Sequence, residues 1–314
     1  MYYYQRDDRQ PNFGDELNTW LWPKFLDNCF DQSSDCLLIG TGTLLNNRLP
    51  KRTQSARSVI IMGTGAGYEQ PLKHIPDHWQ IYCVRGPLSA QQLALPATKA
   101  VADGGLLVNR VFPKSQHQPY AVSFMPHIHH ANYAAEPWQA VCQTTGVHYI
   151  DPRWSVERIL EEISQSQLLL AEAMHGAIVA DALRVPWIPM VTSARILAFK
   201  WQDWCKSVDL PYQPQFVPPL RPYPRVTYLS HYPRRGRKVR SVLNAGHHWW
   251  YSLRQSSLKT VQYALTSKIE AVSQRLTQII HHVSPNLSEP SILSKRIEQL
   301  EEQLDRLEKK LRPM

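Results

Sequence analysis

No apolar run in the 314-residue sequence reaches the roughly 20 residues that a membrane-spanning helix needs, so a spanning segment is not expected. The first residues, MYYYQRDDRQ, lack the cationic-then-apolar order of a secretory signal, and the expected location is the cytoplasm. Cysteines are few, scattered and odd in number (Cys29, Cys36, Cys83, Cys142 and Cys205). That argues for reduced thiols and against a disulfide framework or a cysteine-based zinc site. The glycine turns at 40–42 (GTG) and 63–67 (GTGAG) lack the G-x-G-x-x-G spacing, and no P-loop Lys-Ser pair follows either. They are weak nucleotide signals. Tight strand-to-helix turns explain them as well, and backbone passing close to an anion or a sugar is a further use. Acidic residues are absent between Pro219 and Thr260, where nine Arg and Lys residues stand. Much of the net charge of +9 is therefore local. Such a stretch suits an anionic partner, a membrane surface or a nucleic acid, or else a solvated linker.

What is present is a repeated alternation. DCLLIGTGTLL (35–45), SVIIMGTGAG (58–67) and IYCVRGPLSAQQLA (81–94) each read as a buried strand ending in a turn, the last with Pro87 at a first helical position. YYY (2–4) and AVADGGLLV (100–108) read as short strands, and PNFGDELN leads into a helix with Leu17, Leu21 and Phe25 on one face. RVFPKSQHQP (110–119) reads as a link. A second set follows: YAVSFMPHIHHA as strand and loop, a helix near 136–143, a strand at 147–151, a helix at 154–164, and a helix opened by FKWQDWC. The pattern predicts an α/β fold of two Rossmann-like, doubly wound domains facing each other across a cleft, followed by a C-terminal helical tail. The expected boundaries are 1–115, 116–230, and 231–314 for the basic linker and tail. Within the tail, Leu293, Ile297, Leu300, Leu304, Leu307 and Leu311 repeat four-three-four-three-four, a heptad seam. It is expected either to pair with a second copy through 293–311 or to pack on its own domain.

The stretch AEAMHGAIVADALRVPWI (171–188) is a strand, a turn and a helix. The turn, with His175 and Gly176, falls where a strand ends and a helix begins, and free N–H groups and the helix dipole attract anions there. Asp15 in NFGDELN reads as a helix N-cap or as a general acid. Arg85, ending its strand, suits a bidentate contact to carboxylate or phosphate, or a surface ion pair. The HIHH cluster (His127, His129, His130) has no carboxylate or cysteine close by in the sequence; imidazoles facing an anion fit it better than a metal does.

Taken in order, NFGDELN, IGTGTLL, GTGAG, VRGP, ADGGLLV, MPHIHH, EAMHGAIVADALRVPWI and FKWQDWC resemble the polysaccharide pyruvyl transferases, most of all the exopolysaccharide ketal-pyruvate transferases of the succinoglycan and xanthan type. The resemblance spans residues 1–230. It implies a GT-B-like fold, no cofactor and no metal, with phosphoenolpyruvate as donor substrate and a lipid-linked oligosaccharide as acceptor. A hexose would receive pyruvate as a cyclic ketal. It implies Asp15 as the acid for the methylene carbon and His175 as phosphate contact or base. Arg85, His127, His175, Gly176 and Lys200 would hold the donor; Asn12, Gly42, Gly65 and Glu172 would face the acceptor. Where many members read R-L-H-G this chain has Ala173, so a cationic contact to the donor is either missing or supplied elsewhere, for which Arg195 and Arg153 are the candidates. The succinoglycan-like branch shares the EAMHG form. A lipid-linked acceptor makes the inner membrane face the expected partner of 219–260, and no nucleic acid is expected. A nucleotide-sugar glycosyltransferase of GT-B type and a non-catalytic assembly protein acting through 293–311 are the alternatives.

Overall fold

The computed structural model describes residues 1–6, 8–26, 29–30, 35–193, 195–221 and 258–311, with side chains of the last segment from 265 onward. Most of the basic stretch, 222–257, lies outside the described residues.

Two parallel sheets carry the fold. The first holds β1 (Cys36–Ile39), β2 (Ser58–Met62) and β3 (Trp79–Cys83) in the order β1-β2-β3. The second holds β4 (Ser123–Met125), β5 (His148–Tyr149), β6 (Leu169–Ala171), β7 (Trp187–Val191) and β8 (Gln215–Phe216) in the order β5-β4-β6-β7-β8. β6 (LLA) and residues 59–62 of β2 (VIIM) are apolar throughout because both faces of a parallel sheet are covered. The second sheet reverses its winding between β4 and β6 and is doubly wound. The first adds its strands in one direction only, so it does not match the expected doubly wound half.

The helices are α1 (Phe13–Leu21), α2 (Leu49–Arg52), α3 (Pro87–Gln92), α4 (Val108–Val111), α5 (Ile128–Thr145), α6 (Val156–Ser164), α7 (Met174–Ala182), α8 (Ala198–Ser207), α9 (Leu258–His282) and α10 (Pro290–Leu311). In α1, Phe13, Leu17 and Leu21 recur every four residues and are buried, while Asp15 and Glu16 in the first turn suit the positive end of the dipole.

Three sequence expectations give way locally. Residues 2–4 form no strand; only the Tyr2 N–H reaches the Leu38 carbonyl, at 2.8 Å. Residues 100–108 make one bridge, Ala100 to Val84, and then a short 3-10 helix over Gly104–Leu107. HIHH is not a loop: His127 is the N-cap residue of α5, which runs well ahead of the expected 136–143. Pro137 hid this helix. It sits inside α5 behind a kink at Ala134, and the Tyr133 carbonyl that Pro137 cannot bond accepts from Arg221 Nη1 at 3.2 Å.

The C-terminal helices are built into the body. Val272, Leu276 and Ile279 of α9 share a core with Trp138 and Val141 of α5. The link to α10 is tied down by Asp181, which accepts from the Ser288 N–H at 2.8 Å and from its hydroxyl at 2.5 Å. Leu293, Ile297, Leu300, Leu304 and Leu307 are buried in the largest core cluster, with Leu17, Leu107 and Trp204. Arg296 Nε donates to the Ser207 carbonyl, Arg110 grips Glu301 through two bonds of 2.8 and 2.9 Å, and Lys310 reaches Gln80. The heptad seam is thus covered by its own chain, and the self-association expected through 293–311 has no free seam to use. None of the described helices is long and apolar enough to cross a membrane.

Leu300→Ala should lower the unfolding free energy by about 2–5 kcal/mol in urea titration, the cost of a buried leucine cavity, with no change in the molar mass measured by light scattering. A mass that falls by half would return the seam to a dimer.

Candidate functional site

Ligands of open parallel sheets bind outside the carboxyl ends of the strands where the winding reverses. Here that point lies between β4 and β6. His127 follows β4, Glu172 follows β6 and Thr192 follows β7. Glu172 joins all three. Its Oε2 accepts from the His127 N–H at 2.9 Å and pairs with His130 Nδ1 at 2.6 Å; its Oε1 accepts from the Thr192 N–H at 3.0 Å and the Thr192 hydroxyl at 2.5 Å. Burial pushes its pKa up, but His130, Thr192 and the His127 N–H outweigh burial and hold it below the ordinary value. With both oxygens engaged, Glu172, expected as an acceptor contact, braces the three strand ends.

The amino end of α1 enters this region from the first half. Asn12 is the N-cap residue and Asp15 stands three residues on, so Asp15 is not the cap. The Asn12 amide, expected as an acceptor contact, donates to Asp15 Oδ2 at 2.6 Å. Burial raises the Asp15 pKa to about 6, against the lowering pull of Asn12, Lys200 and Arg6. Lys200, buried on α8, donates from Nζ to the Tyr68 hydroxyl at 3.0 Å. Burial lowers its pKa to about 8, with the Arg85 charge adding and Asp15 and Glu172 opposing. Tyr68, just after GTGAG, is raised to about 12 by the same burial, with Asp15 adding to the rise.

His175 begins α7 and packs on α1: a methyl group at Gly14 would lie 2.1 Å from His175 Nδ1. Its other nitrogen, Nε2, lies 3.8 Å from Asp103 Oδ2. Burial drives its pKa down to about 3, helped by Lys200 and Arg85. The His175 imidazole is therefore held neutral at pH 7. His127 lies well below its ordinary value and His129 near 4, burial being the main cause in both. Gly176 has a packing reason: a methyl group there would meet Met125 Sδ at 2.7 Å.

Arg85, expected as a donor contact, is bonded on every side within the protein. It is fully buried. Nε donates to Asp203 at 3.0 Å, Nη1 to the Gly42 carbonyl at 3.1 Å and Thr43 at 2.7 Å, and Nη2 to the Ala66 carbonyl at 2.8 Å. Gly42, at φ +130°, presents that carbonyl, and Gly65 leaves room, since a methyl group there would lie 2.3 Å from Arg85 Cζ. Both glycines, expected to face the acceptor, are buried beside the guanidinium.

The proposed replacement cations also separate. The Arg195 charge reaches His129, while Arg153 is occupied by Asp151 through bonds of 2.8 and 2.5 Å. Three site residues escaped the sequence reading: Asp103, Tyr68 and Asp203. The first two stand within or beside the quoted glycine motifs, which was their available signal. Asp203, in FKWQDWC, meets Arg85 from 118 residues away.

Asp15, His175 and Lys200 thus lie within electrostatic reach of one another in an α/β fold of parallel sheets. The chain belongs to the polysaccharide pyruvyl transferase family, whose model matches residues 2–193. It is 39% identical over 219 residues to the succinoglycan biosynthesis protein ExoV of Rhizobium meliloti (strain 1021), a match covering 68% of this chain and 67% of that protein. No solved structure matches it.

Because Arg85 fills a brace, Arg85→Gln should cost about 3–5 kcal/mol of stability by chemical denaturation, the penalty for stranding a buried partner charge. Unchanged stability together with lost donor binding would restore Arg85 as a donor contact.

Proposed function

We propose that this pyruvyl transferase moves pyruvate from phosphoenolpyruvate onto a hexose of an exopolysaccharide repeat unit as a cyclic ketal. Support for the acceptor class comes from the relative named for succinoglycan biosynthesis. The single observation that carries the donor reading is Asp15, a carboxyl raised to about 6 within electrostatic reach of the buried Lys200.

In the proposed chemistry, Lys200 and the first-turn N–H groups of α7 hold the donor phosphate, and uncharged His127 and Gly176 flank it. Asp15 gives its proton to the methylene carbon, which becomes the methyl group. A sugar hydroxyl adds to the neighbouring carbon and loses its proton to His175. The carbon–oxygen bond to phosphate then breaks, with Lys200 stabilising the leaving anion, which takes the proton held on His175; the second hydroxyl closes the ring and its proton restores the Asp15 carboxylic acid. Atoms balance as phosphoenolpyruvate plus diol giving ketal plus inorganic phosphate; no metal or redox partner enters.

A proton donor acts only when protonated. With a pKa of about 6, roughly a tenth of Asp15 carries its proton at pH 7. Turnover should therefore decline as pH rises through about 6, and decline again above about 8 as Lys200 loses its charge. Asp15→Asn should reduce turnover by about 100-fold or more while phosphoenolpyruvate binding, measured by calorimetry, stays within a few-fold. Turnover that rises through pH 6 would make Asp15 a base instead.

A lipid-linked acceptor places the enzyme at the inner membrane face, with the basic stretch 219–260 against anionic headgroups. Because α10 belongs to the core, truncating the tail would unfold the protein, so the test is neutralisation. Replacing Arg234, Arg235, Arg237, Lys238 and Arg240 by Gln should abolish salt-sensitive cosedimentation with phosphatidylglycerol vesicles. Undiminished binding would remove the membrane role of this stretch.

A further inference from the structure

Asp103 lies between the two halves of the site. Oδ1 accepts the Gly105 N–H at 2.9 Å and caps the 3-10 helix of Gly104–Leu107. Oδ2 is buried and has no hydrogen-bond partner. His175 Nε2 is buried and unpartnered in the same way. The two orphaned atoms face each other at 3.8 Å. That gap is too narrow for a bridging water and too wide for a hydrogen bond. A lone buried carboxylate oxygen is costly, and so is a lone buried imidazole nitrogen; each removes the other's cost by a small approach. Catalytic hydrogen bonds in ligand-free sites commonly run long and tighten when substrate closes the site.

We propose that Asp103 is a positioning residue that holds His175 as its Nε2–H tautomer, leaving the Nδ1 lone pair free to take the proton of the attacking sugar hydroxyl. This rests on the reading of His175 as the base. A carboxylate facing Nε2 favours a proton on that nitrogen. Nδ1, the nitrogen against Gly14, is then the acceptor, one residue from Asp15 on α1. When the hydroxyl oxygen bonds to the donor carbon, its proton passes to Nδ1. The Nε2 proton stays in place, and the imidazolium formed is stabilised by Asp103. Lys200 and Arg85 oppose a charge on His175, and Asp103 is the buried carboxyl 3.8 Å from its Nε2. Burial raises Asp103 itself to about 6, against Arg85, so it is mainly ionised at neutral pH.

Asp103→Asn keeps the shape but reverses the hydrogen bond. The amide oxygen can still accept from Gly105, which turns the NH2 towards Nε2 and drives the proton to Nδ1. The test is the nitrogen-15 spectrum of histidine-labelled full-length protein, with His175 assigned by its loss in His175→Gln. The wild type should show the Nε2–H tautomer and Asp103→Asn the Nδ1–H tautomer. Turnover of the variant should fall by about 100-fold or more, with phosphoenolpyruvate affinity within about threefold. Asp103→Glu, which restores the carboxylate, should recover the Nε2–H tautomer and part of the turnover. An Nδ1–H tautomer in the wild type overturns the proposal even if no variant folds, and so does an unchanged tautomer in Asp103→Asn. The spectrum needs no substrate. A wild type with the expected tautomer but no turnover on phosphoenolpyruvate would therefore refute the donor reading and leave the pairing supported.

Discussion

The buried pair of Arg85 and Asp203 is the constraint on which the site depends. Arg85 follows β3 of the first sheet; Asp203 belongs to α8, which joins β7 to β8 of the second. Their contact at 3.0 Å, with neither side chain exposed, fixes α8 against the glycine turns of the first half. Asp203 is satisfied further by the Ser89 N–H at 2.8 Å and the Ser89 hydroxyl at 2.5 Å. A buried ion pair adds little net stability over a well-packed apolar pair, but it demands one geometry. Here the geometry has a consequence three residues away. Lys200 and Asp203 share a face of α8, so docking Asp203 also delivers the Lys200 ammonium to Tyr68 and towards Asp15.

The same loss of water acts on each functional group in its own direction. Burial disfavours charge, so it raises the Asp15 carboxyl, lowers the Lys200 ammonium and lowers the His175 imidazole. The outcome is an acid that can hold a proton near neutral pH, a base that is neutral, and a cation close to its titration point. Such a set suits a reaction that needs a proton given at one carbon and another taken from a hydroxyl beside it. The brace at Glu172 serves the same end: by satisfying His130, Thr192 and the His127 N–H, it holds three strand ends together.

Much of this was legible in the sequence because it is local. Apolar runs bounded by glycine gave the strands, and the strand–turn–helix pattern placed His175 at a helix start. Asp15 stood out for its position in a turn, though local spacing alone could not tell a cap from an acid. What stayed hidden depends on contacts far apart in the chain. Arg85 looked like a ligand contact because its partner, Asp203, is 118 residues away. Glu172 looked available because Thr192 and His130 approach it only in the folded sheet. Asp103 was invisible since a carboxylate in a glycine motif reads as a turn residue. The heptad of α10 signalled a missing apolar partner correctly, but a repeat cannot say whether that partner is another chain or its own core.

The central claim is that this crevice is dry enough to turn Asp15 into an acid. The most direct measurement is a carbon-13 titration of the aspartate carboxyl carbons in the intact protein, with Asp15 assigned by its absence in Asp15→Asn. The account predicts a midpoint near 6 for Asp15. A midpoint near the ordinary aspartate value of about 4 would show a solvated carboxylate and contradict it.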